Sequence, residues 1–200
     1  MWSETYDAVQ NATRDLEAAA LRQSILPARA LDILEIGCGT GKNTEWLATR
    51  AKHLVAADFS DLMLAQARRK IAAETVEFKQ FDLREKWEFA DGQFDLIVCS
   101  LVLEHIANLN FVFQEARRVL RPNGLFYLGE LHPFKQYQGS KARFETAREV
   151  FTLECFVHHV ADYFAAAKNN DFTCFDLKEW FDNDQAIIPR ILTIIFQLKK

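Results

Sequence analysis

The chain has 200 residues, half of them apolar and 12% aromatic, enough for one domain with a sizeable core. A formal net charge of -4 and a pI near 5.8 argue against the broad basic surface that a nucleic-acid backbone demands, so the expected partner is a small molecule and no nucleic acid. Cys38, Cys99, Cys155 and Cys174 are scattered rather than set at zinc or redox spacing, and the sequence shows neither a signal-peptide pattern nor an apolar run of spanning length; a cytoplasmic chain with no membrane span, no bound metal and reduced thiols is the expectation.

In chain order, residues 4 to 24 read as a helix with Val9, Ala12, Leu16, Ala19 and Ala20 on one stripe. The chain then alternates: strand 31–36, helix 43–52, strand 53–58, helix 61–72, strand 75–81, strand 94–100, helix 108–120, strand 124–130. Such alternation requires parallel strands joined by crossovers, with helices on both faces. Ser60 is placed to cap the helix that starts at Asp61, and Pro122-Asn-Gly124 turns the chain into the next strand. Arg68-Arg69-Lys70 and Arg117-Arg118 read as solvated helix ends. Residues 132–141 read as a long loop, 151–157 as strand-like, 159–168 as a helix, and 174–180 with 191–198 as an antiparallel edge pair.

The densest signal is the apolar strand 31–36 running into Gly37, Gly39 and Gly41, three of the chain's seven glycines. Glycine lets the backbone bend and a ligand approach it closely, and the following helix offers its free N–H groups there. Two phosphate-binding versions of this turn fail on spacing. A P-loop ending at Gly41-Lys42 would need glycine at Ile36 and a hydroxyl at Asn43, and a dinucleotide fingerprint starting at Gly37 would need glycine at Lys42.

Glu35-Ile-Gly-Cys-Gly-Thr-Gly41 resembles the first motif of the class I S-adenosylmethionine-dependent methyltransferases, in particular the small ubiquinone-biosynthesis-like group. Strand 53–58 ending at Asp58, Phe78 to Asp82, and Phe94 to His105 are similar to that family's next three motifs in the same order. The resemblance implies an α/β, Rossmann-like three-layer sandwich with a mostly parallel seven-stranded sheet and an antiparallel C-terminal hairpin. Within it, residues 1–30 form an N-terminal helical segment, 31–130 the cofactor-binding core, and 131–200 the substrate loop, helix and last strands. The implied cofactor is S-adenosylmethionine. Asp58, at the end of the second strand, suits a ribose diol, which donates hydrogen bonds to a carboxylate. By resemblance, Asp82 accepts from the adenine amino group with the Leu83 amide assisting, and Glu35, Gly37, Cys38, Gly39, Gly41, Ser100 and Leu101 surround the methionine end, with main-chain carbonyls around Ser100 and Leu101 receiving its ammonium. Phe59 and Met63 read either as adenine-packing residues or as core.

Methyl transfer from a sulfonium demands alignment more than a conspicuous catalytic group. Two histidines sit at the carboxyl edge, His105 after the fourth strand and His132 after the fifth; each is either a proton acceptor for the methyl-accepting group or a structural histidine. Lys135, Tyr137 and Arg143, with His158 further on, read either as part of a lid over an anionic small-molecule acceptor or as a solvated surface. The N-terminal helix with Trp2 and Tyr6 reads either as a gate over the cofactor, which the resemblance allows, or as ordinary packing. The alternative to an enzyme is a non-catalytic S-adenosylmethionine-binding sensor or scaffold.

Overall fold

The computed structural model describes residues 11–26, 31–140, 143–145, 150–152 and 154–199, with 143–145 and 150–152 described by backbone alone. Trp2, Tyr6 and the first residues of the predicted N-terminal helix lie outside that set.

Helix α1 (Ala12–Gln23) is capped by the Asn11 carboxamide, which accepts from the Arg14 N–H at 3.0 Å. It buries Glu17, Ala18, Ala20 and Leu21, so its inward face is turned from the predicted stripe and carries an acid. Strand β1 (Leu31–Ile36), helix α2 (Thr44–Ala48), strand β2 (Ala51–Asp58), helix α3 (Asp61–Lys70), strand β3 (Val76–Gln80) and strand β4 (Phe94–Ser100) follow. Helix α4 (Leu109–Val119), strand β5 (Leu120–Leu131), helix α5 (Pro133–Tyr137), strands β6 (Arg143–Glu145) and β7 (Val150–Thr152), helix α6 (Val160–Asn169) and strands β8 (Phe172–Trp180) and β9 (Ile191–Leu198) complete the chain.

The seven-stranded sheet has the order β3-β2-β1-β4-β5-β9-β8, parallel from β3 to β5, with β9 antiparallel to both β5 and β8. This is the expected α/β sheet with its antiparallel C-terminal hairpin. Strand order reverses between β1 and β4, and a crevice opens at the carboxyl ends of the strands on either side of such a switch point. Register brings those ends level: Ile36 lies opposite Ala57 and Cys99, Asp58 opposite Gln80, and Ser100 opposite Gly129.

Side chains alternate across the sheet, as the pleat requires. Leu34, Ile36, Ile97, Cys99, Phe126 and Phe196 pack on one face with α4 and α6, while Ile33, Leu54, Val98, Tyr127 and Ile195 pack on the other with Leu21 of α1 and Leu47 of α2. Many of the phenylalanines serve this core. Phe113 meets Phe126, Phe172 and Phe196 edge-on at 5.2–5.7 Å, and Phe81, Phe89 and Trp87 form a second cluster.

Some local expectations change. Helix α2 stops at Ala48 because Thr49 and Arg50 close tight turns onto Trp46 and Leu47, freeing Ala51 to pair with Leu31. Strand β5 starts at Leu120, which pairs with Phe94, and Arg121 to Gly124 bulge out of the ladder with Asn123 at φ 64°. The predicted loop at 132–141 contains α5, started by Pro133 and capped by His132. Arg118 is no solvated helix end: its guanidinium pairs with Glu115 at 2.6 Å and Asp91 at 2.9 Å and donates to the carbonyls of Trp87 and Phe89. The strand-like run at 151–157 ends at Thr152, and β6–β7 stand apart as a two-stranded ribbon. Among the described residues no helix is long and apolar enough to cross a membrane.

Candidate cofactor and acceptor site

A cavity of about 520 Å³ lies at the carboxyl edge of β1, β2, β3 and β4, roofed in part by α1 and the turn after β4. Its base is the loop after β1, held down where the Gly37 and Cys38 N–H groups donate to the Ala57 carbonyl at 2.8 and 3.0 Å. Gly37 has φ 71°, and a Cβ there would lie 2.1 Å from Val102 Cγ2, so the loop touches the turn after β4 with no room for a side chain. At Gly39, φ 54°, a Cβ would meet nothing within 4 Å, because it would enter the open cavity. Gly41 does not line the cavity; a Cβ there would strike Ile71 at 2.6 Å, which assigns it to packing against α3 rather than to the predicted ligand contact.

Asp58 joins two elements: Oδ2 accepts from the Gly39 N–H and Oδ1 from the Ser60 N–H, both at 2.8 Å. Burial pushes its pKa up, against the pull of those two bonds. Asp82 is clamped by Arg84, whose Nε donates at 2.9 and 3.0 Å and Nη2 at 2.5 Å, and this pairing holds its carboxyl below the usual range. The same guanidinium lies 5.5 Å from the Phe59 ring. Phe59, 64% exposed, with Met63 and Leu83, both buried, gives this end of the cavity its apolar lining.

At the opposite end Glu35 is buried, accepts from Thr44 Oγ1 at 2.6 Å, and is pushed up to about 8, chiefly by burial and further by the charges of Glu17 and Asp58. Leu101, beside Ser100, sits at φ 56°, a left-handed conformation rare for leucine and found here in a cavity wall. Glu17 lines this end and was not singled out in the sequence. Its Oε1 accepts from Ser100 Oγ at 2.7 Å and Tyr127 Oη at 3.1 Å, and its Oε2 from Asn43 Nδ2 at 2.9 Å. Burial still raises its pKa. Arg14, Lys42, Asn43, Val102, Ile106 and Glu154 are further lining residues absent from the sequence-based set.

His105 lines the cavity from the 3-10 turn at Leu103–His105. Its Nδ1 lies 3.0 Å from the Glu154 carbonyl, an acceptor only, so in the neutral ring Nδ1 holds the proton and Nε2 keeps a free lone pair. Glu104 Oε1 stands 4.0 Å from that Nε2. The turn itself hangs on the buried Glu130, whose Oε1 accepts from the N–H groups of Val102 at 3.2 Å and Leu103 at 3.0 Å.

Among the described residues, His132, Lys135, Tyr137 and His158 are not brought to the cavity. His132 caps α5: Nδ1 accepts from the Phe134 N–H at 3.1 Å and Nε2 faces Glu179 at 3.0 Å, which corrects its assignment as a proton acceptor. His158 is buried, its Nε2 set against the carbonyls of Leu103 and Ile106 at 3.1 and 2.8 Å, so it braces the His105 turn instead of meeting an acceptor. Lys135 and Tyr137 belong to α5 and lie off the cavity, the Tyr137 hydroxyl against His159 Nδ1 at 2.6 Å. Arg143 opens β6, and its side chain lies outside the described residues.

Sheet order, glycine loop and acidic strand ends together define the class I S-adenosylmethionine-dependent methyltransferase fold. Residues 34–128 match the model of the methyltransferase domain family. The chain is 37% identical over 132 residues to the biotin biosynthesis bifunctional protein BioHC of Cellvibrio japonicus, covering 64% of this chain and 25% of that protein. It is 34% identical over 112 residues to the demethylmenaquinone methyltransferase of Clavibacter sepedonicus, covering 56% and 45%. The chain thus spans less than half the length of these curated relatives. An S-adenosylmethionine dependent methyltransferase structure from Mesorhizobium loti superposes with a TM-score of 0.78 at 20% identity, over 94% of this chain and 100% of that one, a likeness of fold.

The residues present fit S-adenosylmethionine. Gly39 leaves a cradle that one Cβ would fill, Asn43 Oδ1 is a buried acceptor without a partner on a residue of the cavity wall, and carboxylates stand at the end of β2 and two residues past β3.

Proposed function

We propose that this protein transfers a methyl group from S-adenosylmethionine to a small-molecule acceptor that carries its reacting proton on an oxygen, nitrogen or activated carbon. The observation that carries this reading is the convergence in one cavity of a nucleoside-type acceptor set, the glycine cradle and the free Nε2 of His105.

When bound, S-adenosylmethionine supplies an electrophilic methyl group on a sulfonium. Asp58 and Asp82 hold the nucleoside end, and the Gly37–Gly39 loop with Glu35, Ser100 and Leu101 holds the amino-acid end. His105 Nε2 takes the acceptor's proton, while the Glu154 carbonyl keeps Nδ1–H in place and the Glu104 carboxyl balances the charge that forms on the ring. Val102 and Ile106 present apolar surface beside it and exclude water. Holding nucleophile and methyl in line is worth up to ~7–11 kcal/mol of the barrier, so a single base beside a well-shaped cavity suffices.

Around His105 the described residues at the acceptor end are Val102, Ile106 and Glu154, which bring no lysine or arginine to it. An uncharged acceptor fits them better than the anion expected from the sequence. The test is transfer of radiolabelled methyl to a panel of neutral phenols and amines and their carboxylated counterparts. Labelled product with equimolar S-adenosylhomocysteine, favouring the neutral series, supports the reading. Binding of the cofactor without turnover on any of them would favour the sensor.

A further inference from the structure

The buried polar cluster under α1 asks for a ligand of one sign. Glu17 has four acceptor positions on its carboxylate, and the structure fills three: Ser100 and Tyr127 donate to Oε1, Asn43 Nδ2 to Oε2. Because Nδ2 must point at a carboxylate, the orientation of the Asn43 carboxamide is fixed, and its Oδ1 is left buried without a donor. The open position on Glu17 Oε2 and the bare Asn43 Oδ1 are therefore adjacent, both on residues that line the cavity. Glu35 lies close enough to feel the charge of Glu17, which adds a second buried acid to the same end. One bare acceptor and one half-filled one, set beside a pair of buried acids, match a compact cation with several N–H groups.

We propose that Glu17, on the N-terminal helix, is a specificity-determining residue that receives the α-ammonium of the cofactor together with Asn43 Oδ1. This deepens the proposed function and rests on it. The arrangement ties α1 to cofactor recognition: the helix that covers the cavity delivers the acceptor, so α1 docks most firmly when the amino-acid end is filled. Ser100 and Tyr127 are positioning residues here, since each holds Glu17 Oε1 and leaves Oε2 facing its ligand.

Isothermal titration calorimetry on the full chain separates this role from a structural one. The probes are S-adenosylhomocysteine, its analogue lacking the α-amino group, and methylthioadenosine, which lacks the whole amino-acid end. In Glu17→Gln the amide oxygen still accepts from Ser100 and Tyr127, and the new NH2 donates to Asn43 Oδ1 once that carboxamide flips, so the helix stays docked while both open acceptors are lost. The expected result is S-adenosylhomocysteine binding weakened roughly tenfold or more, in line with loss of a charged hydrogen bond, and methylthioadenosine binding unchanged. The unaltered protein, which needs no variant to fold, is expected to bind the deaminated analogue weaker by a similar factor. Equal weakening of all three probes in Glu17→Gln, or no discrimination against the deaminated analogue by the unaltered protein, overturns the assignment. Failure of the unaltered protein to bind S-adenosylhomocysteine at all overturns the proposed function with it.

Discussion

Replacing Gly37 by alanine tests the contact that sets the shape of the cavity. The new Cβ would sit 2.1 Å from Val102 Cγ2, and ordinary contact begins near 3.4 Å, so one side must retreat by about 1.3 Å. Neither is free to do so: the Gly37 N–H is bonded to Ala57, and the Val102 N–H to Glu130. Overpacking of this kind costs ~1–3 kcal/mol. The left-handed backbone at φ 71° adds ~1–2 kcal/mol for a residue with a Cβ. The sum, ~2–5 kcal/mol, corresponds at ~2–4 °C per kcal/mol to a melting point lowered by on the order of 10 °C. Urea unfolding of Gly37→Ala, Val102→Ala and the double variant measures the steric part as a coupling energy. With Val102 truncated, Gly37→Ala is expected to cost only the backbone share, giving a coupling of ~1–3 kcal/mol. A Gly37→Ala protein within ~0.5 kcal/mol of the parent, or a cycle with no coupling, would show that the two segments do not touch as described.

Gly39→Val adds its side chain to open cavity: stability falls by only ~1–2 kcal/mol for the backbone, whereas S-adenosylhomocysteine affinity drops tenfold or more by calorimetry; retained affinity would remove the cradle from the site. His105→Gln is expected to lower the rate of methyl transfer ~10²–10⁴-fold while leaving S-adenosylhomocysteine affinity within twofold, and an unchanged rate excludes His105 as the base. Stability should also fall as pH rises. Burial lifts Glu35 and Glu130 to about 8 from an ordinary 4.5, so across that window the native state holds protons that the unfolded chain has released. Stability is full below about 4.5 and declines toward 8, by on the order of 1 kcal/mol per pH unit for each group. Urea melts between pH 5 and 8 should show this slope, and Glu130→Gln should flatten it; stability that climbs over the same range contradicts the burial of these acids.

The fold was legible because its signals are local and repeated. Apolar strands such as Phe94–Ser100, the cap at Ser60 and the glycine turn each reveal themselves within a few residues, and their order implies the sheet. The positions of the two acids were equally legible, since Asp58 ends β2 and Asp82 follows β3 by two residues, on the ligand edge of a parallel sheet. The acceptor side was not. His105 and His132 looked alike in sequence, and only the fold shows that one lines the cavity against the Glu154 carbonyl while the other caps α5 and faces Glu179. Glu17 was hidden for a similar reason: its partners Asn43, Ser100 and Tyr127 lie on three other elements far along the chain. The signal available was an acid next to Ala18, Ala20 and Leu21 on the inward face of α1, and it required the rotation of that helix to be known.

The most direct test of the account is a crystal structure of the chain with S-adenosylhomocysteine. The ligand is expected in the cavity with its ribose on Asp58, its adenine between Phe59 and Leu83 beside Asp82, its amino-acid end over Gly39, and its sulfur directed toward His105. A ligand bound elsewhere, or one lying with its adenine over Gly39, would contradict the assignment of this cavity.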